Sequence, residues 1–467
     1  SMLYPRLVLA RNLLQDDGII FISINDIEAT NIKKICDEVF GESNFIANLV
    51  WANKEGGGSS DSKLFRIKHE YILCYSKNII KAEIAGVPIG NEERYKLSDE
   101  YILTRGKYYL QKMGMGTIQY SSSLDYPITV PDGTVVMPAD NNNGKKACWR
   151  WSKPKYFWGI ENGFIEIKKD YSGIWTVYSK QYLNCDNEGN IISRTQRPMG
   201  IINEFSSTQA AKLLEKLGLG SIFSYAKPVE LIHYLCKLVK TEKGIFLDFF
   251  SGSATTAHAV MQLNAEDGGK RKFIMVQLPE VCAEGTEAAK AGYTTICDIG
   301  KERIRRAGEK IKEEVKAANA QLKLGEEPKQ VPDIGFRVLK VDDSNMNDVY
   351  YAAGDYTQDM LTFAESNIKE DRTNLDLLFG CLLDWGLPLS MQYSQETIDG
   401  FTVHTYNSGD LVACFEEHVS EKAIREIASR KPLRAVFRDS SFTSSPEKIN
   451  VFEIFKLLAP NTTVRVI

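Results

Sequence analysis

The chain has no C-x-x-C pair, no Pro-Pro pair and no long apolar run. Its nine cysteines stand singly at positions 36, 74, 148, 185, 236, 282, 297, 381 and 414. That scatter speaks for reduced thiols in packed interiors, against a zinc ribbon or a disulfide framework. No apolar run approaches the roughly 18 residues of a membrane helix, and the first residues lack the charged-then-apolar order of a signal peptide. The cytoplasm is the compartment expected. His69, His233, His258, His404 and His418 show no ligand spacing, so no metal is expected. Excess positive charge is lacking too: with a formal charge of -4, any contact with nucleic acid must come from a local patch.

What is present is enough for several packed units: 467 residues, 43% of them hydrophobic, imply about three domains. Residues 1–84 open with LARNLLQDDGIIFISIND, a helix, a Gly turn and a buried strand. A helical spacing over 31–40 follows, then two strand-like runs, FIANLVWAN and HEYILCYSKN, separated by the stretch GGGSSDS, which reads as a mobile loop. From 85 to 220 the texture changes to short strands, many aromatics and turns such as PDG, DNNNG and NEGN, the mark of an inserted domain. Residues 221–315 return to alternating helix and strand, so a parallel sheet is expected there. A polar linker over 316–332 leads to an α+β module over 333–467, whose last strands are RAVFRD and TVRVI.

The most informative stretch is IFLDFFSGSATTAHAV, residues 245–260: an apolar run, an acid, and a small-residue turn entering a helix. Such a turn offers backbone N–H groups and a positive helix end to an anionic or carboxylate-bearing ligand. Its spacing is neither the G-x-G-x-x-G of a dinucleotide fold nor the G-x-x-x-x-G-K-[ST] of a phosphate loop. An ordinary strand-to-helix turn, with Asp248 as a polar terminus, reads equally well from these residues alone.

Its context is more specific. SYAKPVELIHYL lies upstream, KRKFIMVQLPE and TTICDIGKERIRRAGEKI downstream, and DIGFRVLKVDDSN and FRDSSFTSSPEKINVFEIFK further on. In this order the phrases resemble the modification subunit of type III restriction-modification systems, a permuted adenine-N6 DNA methyltransferase, over nearly the whole chain. The resemblance implies a Rossmann-like class I methyltransferase sheet, circularly permuted, with an inserted target-recognition domain at 85–220 and a C-terminal α+β module making subunit or partner contacts. It implies S-adenosylmethionine as cofactor, double-stranded DNA as substrate, a helicase-nuclease restriction subunit as partner, and a homodimer. By the same resemblance Asp248, Phe249, Phe250, Ser251, Gly252, Ser253, Thr255 and Thr256 match the cofactor loop. Ala254 stands where the family usually has Gly, and its methyl matters if the backbone there needs a positive φ. Lys227 and Pro228 match the motif against the same cofactor, while also reading as an ordinary helix start with Pro in its first turn. Gln277, or Glu280 as the charged alternative, is expected at the ribose hydroxyls.

For DNA, residues 141–160 hold five Lys/Arg, no Asp/Glu and five aromatics. Arg150, Lys153 and Lys155 are candidates for phosphates, and Trp149 and Trp151 for stacking on or supporting an unstacked base. The competing reading places both tryptophans in the core of a small β domain. Arg194 and Arg197 are weaker candidates, and the charged helix over 299–318 reads as a solvated or subunit surface.

The family's catalytic Asp-Pro-Pro-Tyr occurs nowhere in the chain, so no catalytic residue is assigned. In the permuted order that motif precedes the segment that begins here, and its strand lies between the strand ending at Phe250 and the strand Ile19–Ile24. The expectation is a sheet without its middle strand, in which these two strands close on each other, pair with another chain, or leave the N-terminal segment displaced. Asn25 and Asp26 would border whatever pocket remains. Two functions stay open: a methyltransferase subunit inactive or impaired without the motif, and a non-catalytic DNA-recognition or assembly subunit that keeps the fold.

Overall fold

Helical and strand periodicities alternate at the N-terminus, and the computed structural model places α1 (Leu3–Leu13), β1 (Ile19–Ile24), α2 (Ala29–Phe40), β2 (Phe45–Trp51) and β3 (Glu70–Ser76) on them. It describes residues 2–54, 65, 67–223, 225–322, 325, 327–347 and 368–467; the GGGSSDS stretch lies outside them. Helix α2 buries Ile32, Cys36, Val39 and Phe40, one stripe at helical spacing. That stripe packs with Leu7 of α1 on Leu73 and Tyr75 of β3. β3 lies between β1 and β2 and runs antiparallel to both.

The chain then forms a small aromatic-cored body. β4 (Tyr108–Lys112), α3 (Lys153–Glu161), β5 (Ile165–Lys169) and β6 (Trp175–Tyr182) carry it, with a three-stranded antiparallel sheet in the order β5-β6-β4. β7 (Ile201–Ile202) returns to the first sheet, pairing parallel with Val50 and Trp51 of β2. Next come α4 (Ser207–Lys216), started by a Ser206/Gln209 capping box, and α5 (Val229–Leu238). β8 (Ile245–Asp248), α6 (Thr255–Asp267), β9 (Lys272–Met275) and α7 (Ile296–Asn319) follow. β8 and β9 pair in parallel from Ile245↔Lys272 to Asp248↔Met275, the connection through a helix that parallel strands require.

These two sheets do not join. The first has the order β1-β3-β2-β7 and the second holds only β8 and β9, so β1 and β8 are both edges among the described residues. Of the three alternatives expected, direct closure of one strand on the other is therefore absent among the described residues. Helix α5 spans both: Leu231, Leu235 and Leu238 pack with Trp51 and Ile72, while Cys236 packs with Val260, Leu263 and Phe246. Phe249, just past β8, packs in the cluster that contains Ile20, Ile22 and Ile24 of β1. Although β1 is almost wholly apolar, it is only half-buried.

Residues 1–335 form one unit and residues 336–467 a second. The second holds a five-stranded mixed sheet over Tyr393–Ile398, Phe401–Tyr406, Leu411–Cys414, Arg434–Phe437 and Thr463–Val466. Its strands alternate between faces: Val412, Cys414 and Ala435 meet Ile424, Ile427 and Phe455, while Leu411, Ala413 and Val436 meet Leu378 and Leu382. No helix among the described residues is long and apolar enough to cross a membrane.

Candidate functional site

The turn after β8 is built by its acid and by two left-handed residues. Asp248 accepts the Phe250 N–H at 3.2 Å through one oxygen and the Thr256 hydroxyl at 2.7 Å through the other. The carboxylate thereby ties the strand end to the first turn of α6. Gly252 has φ +49 and nothing but the Phe223 ring near the place a Cβ would take. Ala254 caps α6 with φ 60 and ψ 41, so the position where the family uses Gly does require a positive φ. The first-turn amides of α6 have no acceptor within their own helix, and with the helix dipole they make a seat for a negatively charged group. Ser251, Ser253 and Thr255 are buried along the turn, whereas Phe250 is 52% exposed beside Phe249, ring centres 5.3 Å apart.

Gln277 meets this turn directly. Its Oε1 accepts the Gly252 N–H at 2.8 Å and its Nε2 donates to Leu278 O at 3.3 Å, so the side chain lies folded on the turn. Glu280 is exposed, and its carbonyl accepts the Ile296 N–H at 2.9 Å. Pro228 caps α5, and the Lys227 ammonium pairs with Glu70 and sits 4.9 Å above the centre of the Trp51 ring. Asn53 donates to the same Glu70 at 2.8 Å, and its own Oδ1 is buried without a hydrogen-bond partner among the described residues. The sequence reading missed this cluster of Trp51, Asn53, Glu70 and Lys227. Its members come from β2, β3 and the start of α5, and only Lys227 carried a local signal. His69 lies 3.2 Å from the Tyr71 hydroxyl, and desolvation and then a hydrogen bond to Asp26 push the Tyr71 phenol above its ordinary pKa. Asn25 and Asp26 thus follow β1 on the side where Tyr71 and Glu70 begin β3.

The helix over 299–318 corrects an expectation. It is not a solvated surface throughout, because α7 buries Ile299, Gly300, Arg303, Ile304, Ala307, Gly308, Ile311 and Val315. The stripe has helical spacing, which was the available signal; the many charges on the opposite face obscured it. A Cβ on Gly300 would come 3.3 Å from Gly252 O and 3.6 Å from the Ala254 Cβ. Arg303, 1% exposed, donates to Ser253 Oγ at 2.6 Å and Thr255 Oγ1 at 2.8 Å. His258, one turn into α6 and also 1% exposed, has its pKa pushed down to about 3, first by burial and then by the Arg303 charge.

In the small body, Trp149 is 0% exposed and donates its indole N–H to Tyr126 O at 2.7 Å. Trp151 is buried in the same cluster. Both rings fill the core, so the expectation that they stack on a base is corrected in favour of the packing reading. Arg150 donates to Met115 Sδ at 2.8 Å through Nε. Lys153 is exposed, and the half-buried Lys155 lies 5.2 Å from the centre of the Trp151 ring. Arg194 is taken up structurally, donating to Tyr182 O and, at 2.8 Å, to Cys185 O. Arg197 is exposed.

Residues 1–311 match the family model described as DNA methylase, of the N6/N4 methyltransferase type. The chain belongs to that DNA methylase family. Among its curated relatives, the StyLTI Mod subunit of Salmonella typhimurium is 34% identical over 69% of this chain and 47% of that protein. The EcoPI Mod subunit of Escherichia phage P1 is 29% identical over 96% of this chain and 69% of its own length. The type II methyltransferase M.KpnI of Klebsiella pneumoniae is 30% identical over 64% of this chain and 71% of that protein. The chain thus spans about half the length of the StyLTI subunit.

Proposed function

We propose that this DNA methylase family member binds S-adenosylmethionine at the turn between β8 and α6, and duplex DNA through residues 85–220 as a target-recognition domain. Its role is that of an adenine-N6 modification subunit in a type III restriction-modification system. The observation that carries the reading is the turn itself: an acid ending a parallel strand, two left-handed residues at Gly252 and Ala254, and a helix start, all inside the span matching the family model.

The residues fit the cofactor chemically. The first-turn amides of α6 suit its carboxylate, the exposed Phe250 ring suits a flat base, and Gln277 or Glu280 can reach ribose hydroxyls once Gln277 leaves the Gly252 amide. Lys227, held by its pair with Glu70, and Pro228, the cap of α5, are assigned to the same site by this reading. Bound there, the cofactor supplies a methyl group on a sulfonium. The chain's own part is to hold that group dry and oriented and to bring DNA to it with Arg150, Lys153 and Lys155 on the phosphates. A restriction subunit as partner and a homodimer belong to the same reading.

What the 467 residues do not supply is the acceptor set for the adenine amine, since no Asp-Pro-Pro-Tyr is present. The reading therefore assigns cofactor and DNA binding, without methyl transfer, to this chain alone. The unpaired edges of β1 and β8 among the described residues favour it, because each can still take a further strand. Calorimetric titration with S-adenosylmethionine, followed by a labelled-methyl assay on duplex DNA, tests both parts. Saturable binding at one site per chain without label in DNA is expected. No binding up to about millimolar, near -4 kcal/mol, refutes the cofactor site and favours the non-catalytic recognition subunit. Label recovered in N6-methyladenine from this chain alone refutes the need for an added motif.

A further inference from the structure

Arg303 is a buried cation without an ion-pair partner among the described residues. Its neighbours on α7, Arg305 and Arg306, pair with Glu302, yet Arg303 points inward and donates to two hydroxyls and, at 3.5 Å, to the Ser253 carbonyl. Its Nε has no hydrogen-bond partner among the described residues. Burial lowers its pKa only to about 10, so it remains charged at neutral pH. Its hydrogen bonds go only to neutral acceptors, and the Glu230 charge attracts it without forming an ion pair; a buried charge so held is costly. The same stripe of α7 is otherwise Ile, Gly, Ala and Val.

The location gives the charge a use. Ser253 and Thr255 flank Ala254, the left-handed cap of α6, and Gly300 lets α7 approach the carbonyl of Gly252 on the same turn. The guanidinium thus lies directly behind the turn whose amides and helix dipole already favour negative charge, in an interior where charges are weakly screened. It pins the turn and adds a full positive charge to its electrostatic field.

We propose that Arg303 is a positioning and specificity-determining residue, which through Ser253 and Thr255 fixes the turn and selects ligands that carry a carboxylate. This rests on the cofactor reading above and deepens it: the adenosyl part is held elsewhere, and the amino-acid part is what Arg303 recognises through the turn.

The test compares three ligands by calorimetry on the 467-residue chain: S-adenosylmethionine, S-adenosylhomocysteine and methylthioadenosine, which lacks the amino-acid carboxylate. In Arg303→Met the first two should lose affinity on the order of 10-fold, while methylthioadenosine changes less than about 2-fold. Arg303→Lys, which keeps the charge, should restore most of the preference for the carboxylate-bearing ligands. Thermal denaturation of each variant reports folding separately. Should Arg303→Met fail to fold, the Lys variant decides: a lost preference in the folded Lys chain overturns the proposal. Equal losses for all three ligands in Arg303→Met reduce the residue to a structural one, and no loss overturns the proposal too. A wild-type chain that binds none of the three overturns the cofactor reading itself, and this proposal with it.

Discussion

His258 gives the most direct test of how the interior behind the turn is organised. It is neutral in the folded chain because burial and the Arg303 charge push its pKa down to about 3. In the unfolded chain it titrates near its ordinary value of about 6.5. The folded pKa is the lower one, so the unfolded state takes up the proton first as pH falls. Stability is fully present above about 6.5 and drains away between there and about 3. From pH 7.5 to 5.0 the loss from this one side chain is about 2 kcal/mol, close to a 30-fold change in the folding equilibrium. His258→Gln removes the titration while keeping a polar side chain of similar length. Reversible urea denaturation of both chains at pH 7.5 and 5.0 isolates the term, because every other titrating group is common to the two. The wild type should lose about 2 kcal/mol more than the variant on acidification. Equal losses would mean that His258 is solvated or paired in the folded chain, and the dry, positive interior assigned to the α6–α7 contact would be wrong.

Lys227→Met should cost unfolding stability about 1 kcal/mol or less, since the pair with Glu70 is partly exposed, while calorimetry shows a several-fold loss of S-adenosylmethionine affinity; unchanged affinity removes Lys227 from the site. Trp149→Ala should destabilise the small body by about 3–5 kcal/mol in chemical denaturation, because the ring is wholly buried. Lys153→Ala should leave stability within about 0.5 kcal/mol and lower the slope of log DNA affinity against log salt by about one; an unchanged slope takes Lys153 off the DNA. Hydrogen exchange over β1 and β8 should be faster than over β3, since among the described residues β1 and β8 each have one unpaired side, and equal protection would mean that the edges are covered in solution.

What could be read from the sequence was local. The run IFLDFF, the small-residue turn and the helix after it follow from apolar length, a terminal acid and periodicity, and all three stand where expected. Ala254 was legible as well, because a methyl where Gly is usual asks a question about φ, and 60° answers it. The pair between Lys227 and Glu70 was not legible: 157 residues separate the two, and no pattern in either segment names the other. The tryptophans two apart allowed both a stacking and a packing reading; burial decided for packing only once Tyr126 and the β6 strand were seen to close over them.

Arg303 shows why the electrostatics of the site lay beyond the sequence. Counting charges along α7 gives a mixed, surface-like helix, and that count treats every arginine alike. The periodicity alone puts Arg303 on the stripe of Ile299, Gly300, Ile304 and Ala307, a placement that costs free energy unless something offsets the charge. What offsets it sits on other segments: the Glu230 charge in the first turn of α5 and, about 50 residues earlier than Arg303, two hydroxyls and a carbonyl on the turn after β8. The mismatch between a polar residue and an apolar stripe is therefore the signal, and its meaning depends on what the stripe packs against. Here it packs against a turn whose amides and helix dipole favour an anion. The oddest residue of α7 and the most family-like motif of the chain are thus two halves of one device.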